Sequence, residues 1–375
     1  MLYLDNAATS YRKPLGVYSA LAYHTVKTSA NAGRGASPPS IRAAALISDT
    51  AELLAELFNI SDPMRIAFTS NATTALNQAV RGMMRNGGHA VITSMEHNSL
   101  IRPVHDCCDY TIVRADIRGG VSIDDIKKAI RPDTQLIAMT HASNVCGTLE
   151  PIRETGQLAK KLGITFLVDA AQTAGCEEID VEDMNIDLLA FSGHKGLLGP
   201  LGTGGLYVRE GVPIVPTVTG GTGSMSESLT QPDVIPDMLQ AGTMNAPAIG
   251  ALGSAVRYIL SRGVREIADS ERYMASYLFS ELKNMYGVTV YGRAAGARNG
   301  TVCFNINDMD PVEVARLLAD KYSIITRGGL HCAYRAHLTI GSGRYGAVRA
   351  SFGAFNKESD VHRIADAVMK IKNNK

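Results

Sequence analysis

Across residues 64–208 short apolar, β-branched runs alternate with stretches of helical period. RIAFT, AVITS, TIVRAD, QLIAMTH, ITFLVD and LLAFS read as strands, whereas ATTALNQAVRGMM, SIDDIKKAI and IRETGQLAKKLG read as helices. That alternation predicts an α/β domain, a mostly parallel sheet with helices on both faces. FLV before Asp169 and LLAF before Ser192 are unbroken apolar runs, as strands buried on both sides require. Ligands of such sheets gather at the carboxyl ends of the strands. Polar residues stand at those ends: Ser70 and Asn71, Glu96 and His97, His141 and Asn144, Asp169 and Gln172, and 192–195.

The pattern changes after Tyr207. Residues 209–245 are rich in Gly, Pro, Ser and Thr without a sustained period, which predicts a long functional loop. Helical patterns follow over 248–261 and 264–285, and strand-like VTVYG, TVCFNI and SIITR then surround a helix over 311–321. The closing KESDVHRIADAVMKIK carries Val361, Ile364, Ala365 and Val368 at helical spacing. These elements predict a second, smaller α+β domain. The expected division is a large domain over 16–245 and a small one built from 1–15 and 246–375.

A length of 375 residues exceeds one ordinary hydrophobic core, in keeping with two lobes and a cleft between them. The chain is 45% hydrophobic and 19% charged, the balance of a folded soluble protein. Lys and Arg number 37 against 36 Asp and Glu, so no basic excess argues for nucleic acid or an anionic membrane as partner. A small-molecule substrate fits better. MLYLDNAATS lacks the basic and apolar segments of a secretory signal, and no apolar run reaches membrane-spanning length. The expected compartment is therefore the cytoplasm, where disulfides are not expected. The six cysteines form no CxxC and no Cys/His cluster with zinc spacing, so no metal is expected.

The strongest chemical signal is FSGHKGLLGPLGTGGLYV, in which an apolar strand ends in Ser-Gly-His-Lys and runs into closely spaced glycines. Lys195 is thereby placed in a tight turn. A lysine forms an imine with an aldehyde cofactor only as the neutral amine, and the end of a buried strand favours that form. Asp169, twenty-six residues earlier at the end of ITFLVD, is placed to keep a pyridine nitrogen protonated, or else simply to cap the next element. The FTSNATTALN junction passes from strand to helix through small residues, and such a helix end suits a phosphate dianion.

With these residues in view, the chain resembles the class-V aminotransferase group of fold-type I enzymes that use pyridoxal 5'-phosphate, and within it the cysteine desulfurases. YLDNAAT, NAGRG, TSNATTALN, MEHNS, THASNVCGT, VDAAQ, FSGHK, AGTMN, RGGLHCA and VRASFGAFN occur in the order of that group. The resemblance implies a large domain with a mostly parallel seven-stranded sheet and a smaller α+β carboxy-terminal domain that carries the cysteine loop. It implies Lys195 as the imine-forming lysine, Asp169 facing the pyridine nitrogen and His97 stacking on the ring and helping to move protons. Asn144 and Gln172 resemble the side chains beside the ring hydroxyl, and Ala72, Thr73, Ser192 and His194 the phosphate cradle. Thr243 resembles a residue that reaches the phosphate of a second subunit, which implies a homodimer.

Arg349 resembles the arginine that clamps the substrate carboxylate, with Asn144 and Arg327 beside it, a bidentate match that lysine does not copy. Cys332, set among Gly328, Gly329 and His331 with Arg327 nearby, resembles the nucleophile that takes sulfur from the substrate. Those neighbours are expected to favour the thiolate, whereas Cys146, Cys176 and Cys303 read as small buried hydrophobes. The implied reaction converts L-cysteine to L-alanine and leaves a persulfide on Cys332. A selenocysteine lyase, a cysteine sulfinate desulfinase of the same group, and a catalytically silent sensor or sulfur-transfer scaffold are the alternatives. The short interval between Arg327 and Arg349 resembles desulfurases with a confined loop, which implies a possible sulfur-acceptor protein. Gly33 departs from the histidine common at its place, which leaves open any link to the iron-sulfur assembly branch.

Overall fold

The computed structural model describes residues 1–33, 35 and 37–373. The chain opens with strand β1 (Leu2–Tyr3) and helices α1 (Leu15–Lys27) and α2 (Pro38–Phe58). The expected alternation then follows: β2 (Ile66–Thr69), α3 (Ala72–Met83), β3 (His89–Thr93), α4 (Asn98–Cys107), β4 (Asp109–Val113), α5 (Ile123–Ala129), β5 (Thr134–Thr140), α6 (Ile152–Leu162), β6 (Thr165–Asp169), β7 (Leu188–Ser192) and β8 (Gly204–Val208). Strands β2 to β8 form one seven-stranded sheet in the order β2-β8-β7-β6-β5-β3-β4. Only β8 runs against its neighbours. The central strands β6 and β7 are buried almost throughout, which is why their sequences are unbroken apolar runs. Their carboxyl ends point to one edge of the sheet and carry Asp169 and Ser192.

Residues 209–245 hold no strand and only a short 3-10 turn at Asp237–Leu239, as their composition predicts. Beyond them lie α7 (Ala246–Arg262), α8 (Val264–Lys283), β9 (Val288–Tyr291), β10 (Thr301–Ile306), α9 (Pro311–Tyr322), β11 (Ile324–Ile325), β12 (Arg327–Gly329), α10 (Tyr334–Ile340), β13 (Ala347–Ser351) and α11 (Glu358–Asn373). These elements build a second, antiparallel sheet, β12-β13-β10-β9, with α8 and α9 packed on it and α11 packed on those helices.

Two details differ from the sequence reading. SIITR is not one strand. Ile324 and Ile325 pair in parallel with Leu2 and Tyr3, while Arg327 starts a different strand that pairs antiparallel with β13. Thr326 is where the chain changes sheets, and a local hydrophobic pattern does not reveal such a switch. Second, α7 falls on the small-domain side of the expected boundary yet packs on α1 and α2. Its Ile249, Leu252, Val256 and Ile259 join the core of the large sheet, whereas Leu2, Leu278, Phe304 and Val368 form the separate small-domain core.

Phe191 ties the strand that leads to Lys195 into this core. Its ring is fully buried, tilts against Phe58 at 5.4 Å and fills the space over Gly205. Phe191→Ala is expected to lower stability by about 3–5 kcal/mol. The measurement is the shift in denaturant midpoint; a shift equivalent to less than ~1 kcal/mol would show that β7 is not anchored there.

Candidate active site

After Ser192 the chain turns sharply. Gly193 N–H donates to Thr203 O at 2.8 Å, Leu198 N–H to Lys195 O at 2.9 Å and Gly199 N–H to Gly193 O at 2.7 Å. A side chain at 193 would collide with Thr203, and a Cβ at 196 would lie 2.6 Å from Ala174 O, so the glycines flanking this turn are required by space. The amino-terminal segment clamps it from outside: Ser10 N–H, Ser10 Oγ and Thr9 Oγ1 all donate to His194 O, at 3.0, 3.0 and 3.1 Å. Lys195 is thus held at the sheet edge. Burial brings its amine down to about 8, with Asp169 opposing and Arg349 and Arg327 assisting the shift.

Asp169 is 3% exposed, and one of its oxygens accepts from Ala171 N–H at 2.9 Å. Burial raises its carboxyl above the ordinary range, against the pull of that hydrogen bond and of Lys195. Such a group gains most from a cationic N–H partner.

His97 follows β3 and caps α4. Its Nδ1 accepts from Ser99 N–H at 3.1 Å and lies 2.8 Å from Ser99 Oγ, which assigns the ring proton to Nε2. Burial, followed by the charges of Lys195, Arg349, Arg327 and Arg102, brings its pKa down to about 4. The imidazole is neutral at physiological pH. Capping and a role over a cofactor ring therefore do not compete, because the cap orients the ring. At the neighbouring strand-to-helix junction Asn71 caps α3 through Thr74 N–H, and Ala72 N–H donates to the buried Ser192 Oγ at 3.2 Å. Thr73 is exposed on the first turn of this helix. His194 Nδ1 lies 3.1 Å from Thr9 Oγ1, and burial with Lys195 and Lys13 lowers its pKa to about 4.

Arg349 sits in the middle of β13 at 2% exposure. It donates to Asp5 Oδ1 at 2.7 Å and to Asn144 O at 2.9 Å, while its buried Nε has no hydrogen-bond partner among the described residues. The Asn144 amide donates to His331 O at 2.8 Å, and Asn98 N–H, next to His97, donates to Cys332 O at 2.8 Å. The cysteine loop is therefore bonded to the same segments that carry His97 and Asn144. Cys332 is exposed, whereas Cys146, Cys176 and Cys303 are buried as expected.

The structure corrects one expectation about that loop. His331 is 5% exposed, and burial first and Arg349 second bring its pKa down to about 2, so it lends no positive charge to a thiolate. Arg327 is exposed, and its carbonyl lies 3.1 Å from His331 Nε2.

Not every expected residue converges. Thr243 is exposed in the 209–245 segment and lines a separate cleft of about 750 Å³ with Gly33, Phe68, Thr222, Met225 and Gln240. Gln172 shares a small cavity with Lys195, although one of its amide hydrogens goes to Ala7 O at 3.0 Å. Sequence reasoning missed Asp5 as the partner of Arg349, and the buried His337 and Ser342 behind His331. The only sequence signal for the histidine was HCAYRAH, whose second His falls on the inner face of α10. Glu96 has a structural place, accepting from Thr93 Oγ1 at 2.6 Å and Thr140 N–H at 2.9 Å to join β3 to β5.

Among the described residues no cluster of three or more His, Cys, Asp or Glu is placed to hold a metal, and no helix is long and apolar enough to cross a membrane. The chain matches the Aminotransferase class-V family over residues 2–364. It is 34% identical to a protein from Methanothermobacter thermautotrophicus named as a probable cysteine desulfurase, over 99% of this chain and 94% of the other. It is 31% identical to a cysteine desulfurase from Cronobacter sakazakii, over 99% and 93%. The fold is similar to the apo structure of a cysteine desulfurase from Thermococcus onnurineus NA1, with a TM-score of 0.92 at 31% identity, covering 100% of this chain and 95% of that one. A match of this extent, over a fold with this strand order and a lysine at this turn, places the chain in the class-V aminotransferase family.

Proposed function

We propose that this protein is a pyridoxal-phosphate-dependent cysteine desulfurase that converts L-cysteine to L-alanine and carries the released sulfur as a persulfide on Cys332. The observation that carries this reading is an exposed thiol on a loop bonded to the segments of His97 and Asn144, in a chain that also holds a buried lysine whose amine is brought down to about 8. The relatives named as cysteine desulfurases support it.

The residues fit the cofactor. Among the described residues Asp169 is a buried carboxylate without a cationic hydrogen-bond partner, suited to a pyridinium N–H. Lys195 has the lowered basicity that imine formation needs, and the start of α3 with Ser192 and His194 offers donors to a phosphate. When bound, pyridoxal phosphate supplies an electron sink for the pair left at Cα. Arg349 receives the substrate carboxylate through its unpartnered Nε edge. The Lys195 amine removes the Cα proton, and the neutral His97, whose Nδ1 is held by Ser99 N–H, would be the residue that stacks on the cofactor ring with its Nε2–H available. Cys332 thiolate attacks the substrate sulfur: an S–S bond forms, the Cβ–S bond breaks with its electron pair kept on carbon, and protonation of Cβ together with return of a proton to Cα from Lys195 gives alanine. A second copy of the chain supplying Thr243 to the phosphate, and an acceptor protein that removes the persulfide, complete the proposal.

Three outcomes test it. Incubated with L-cysteine, the loaded wild type is expected to form alanine and a persulfide of Cys332 detectable by mass, whereas Cys332→Ser keeps the yellow cofactor and makes neither persulfide nor sulfide. Unchanged turnover of cysteine by that variant would sink the assignment, and a parallel incubation with selenocysteine separates a desulfurase from a selenium-specific lyase. Arg349→Lys is expected to raise KM for cysteine by about tenfold or more, because an ammonium cannot serve Asp5, Asn144 O and a carboxylate together. A KM within twofold of wild type would place carboxylate recognition elsewhere. Finally, cofactor uptake by apo-protein requires the unprotonated amine, so its rate should rise with pH and level off above about 8. A rise continuing towards the ordinary lysine range, seen by absorbance, would show that Lys195 is not desolvated.

A further inference from the structure

We propose that His337 is a positioning residue for the sulfur-carrying thiol: a one-way hydrogen-bond chain from Ser342 through His337 to His331 holds the left-handed turn that presents Cys332. The inference rests on the reading of Cys332 given above. His331 has φ 51° and Cys332 has φ 55°, two successive non-glycine residues in the left-handed region. A turn of this kind persists only where its surroundings hold it. Main-chain bonds secure its carbonyls, through Asn144 and Asn98. The His331 ring secures its inner side, pointing into the protein while the next side chain points out.

The proton positions along the ring chain follow from its fixed end. His331 Nε2 lies 3.1 Å from Arg327 O, a carbonyl that only accepts, so Nε2 carries the hydrogen. In the neutral ring Nδ1 is then an acceptor. It faces His337 Nε2 at 3.1 Å, which must donate, and this leaves His337 Nδ1 to accept from Ser342 Oγ–H at 2.7 Å. The Ser342 hydroxyl also lies 3.3 Å from His337 O, but its one hydrogen is committed to Nδ1 at the shorter distance, so each contact along the chain has one donor and one acceptor. His337 is fully buried and Ser342 is 8% exposed, so no bulk water is at hand to replace a missing link.

Taking away the His337 donor strands His331 Nδ1 as a buried, unpaired acceptor. A flip of the His331 ring to find another donor would forfeit the bond to Arg327 O. Either way the inner anchor of the turn is lost, and the thiol moves relative to a substrate held at Arg349. Substrate affinity should be spared, because among the described residues His337 and Ser342 make no hydrogen bond to Arg349 and reach Asn144 and Arg327 only through His331, whose bonds are to the Arg327 carbonyl and the Asn144 amide rather than to the guanidinium groups.

The experiment compares cofactor-loaded His337→Leu, His337→Gln and Ser342→Ala with wild type. Steady-state alanine formation gives kcat and KM, and alkylation of Cys332 by iodoacetamide without substrate, followed by mass, gives the accessibility of the turn. His337→Leu should lose about ten- to a hundredfold in kcat, with KM within twofold and the cofactor band intact. Its alkylation rate should change by at least about threefold. Glutamine, whose amide can donate from the place of Nε2, should recover most of the loss. Should the leucine variant not fold, Ser342→Ala carries the test, with a smaller fall in kcat at constant KM. Normal kcat in the leading folded variant overturns the proposal, as does a joint loss of KM, kcat and cofactor with Gln no better than Leu. An active Cys332→Ser would overturn the underlying reading instead, which keeps the two failures apart.

Discussion

A guanidinium at 2% exposure in the middle of a sheet is tolerable only with fixed partners, and the partners of Arg349 organise the site. Asp5 comes from the amino terminus, Asn144 O from the loop after β5, and the arginine from the small-domain sheet. One side chain thus joins three distant segments. The same amino-terminal segment continues to the carbonyl of His194, so the clamp on the lysine turn and the pairing of the arginine are made by one stretch of chain. The opening strand is anchored beside β11, which makes residues 1–10 a strap from that pairing to the lysine turn. Among the described residues this network uses one N–H of each terminal nitrogen and leaves Nε as the guanidinium nitrogen with no partner; the remaining N–H groups are donors a carboxylate would seek.

Around this cation the protein lowers charge rather than accumulating it. His97, His194 and His331 are all held neutral, chiefly by burial. The Lys195 amine is made less basic and the Asp169 carboxyl less acidic by the same loss of water. A carboxylate and a phosphate dianion brought into such a place find few competing charges. The protons that must move have acceptors of modest basicity close by, which suits transfer near neutral pH.

Much of this was legible in the sequence because it depends on local rules. Strand ends at Asp169 and Ser192 followed from unbroken apolar runs, and the tight turn at Lys195 from its glycines. Exposure of Cys332 followed from its polar surroundings. What was hidden depends on distant parts of the chain. No periodicity says that Asp5 will meet Arg349, or that α7 will pack with α1 and α2 rather than with the sheet it precedes. A change of sheet at Thr326 inside five strand-like residues is equally invisible, since the partners that divide them, Leu2 and Tyr3 on one side and β13 on the other, come from distant parts of the chain. The charge of His331 was misjudged for a related reason: proximity to Cys332 in sequence says nothing about which of two neighbours faces inward.

That inward and outward pairing constrains how sulfur can leave. In extended backbone successive side chains point to opposite faces as a matter of course, but here the reversal is made within a left-handed turn whose carbonyls are bonded to Asn144 and Asn98. The thiol is therefore exposed without belonging to a free-swinging segment. A persulfide on such a residue gains reach only from its own side chain and one added S–S bond, on the order of 2 Å. On the proposed reading, a sulfur carried so short a distance is collected at the protein surface by an acceptor that approaches it, and the fixed turn makes the direction of that approach a property of the fold.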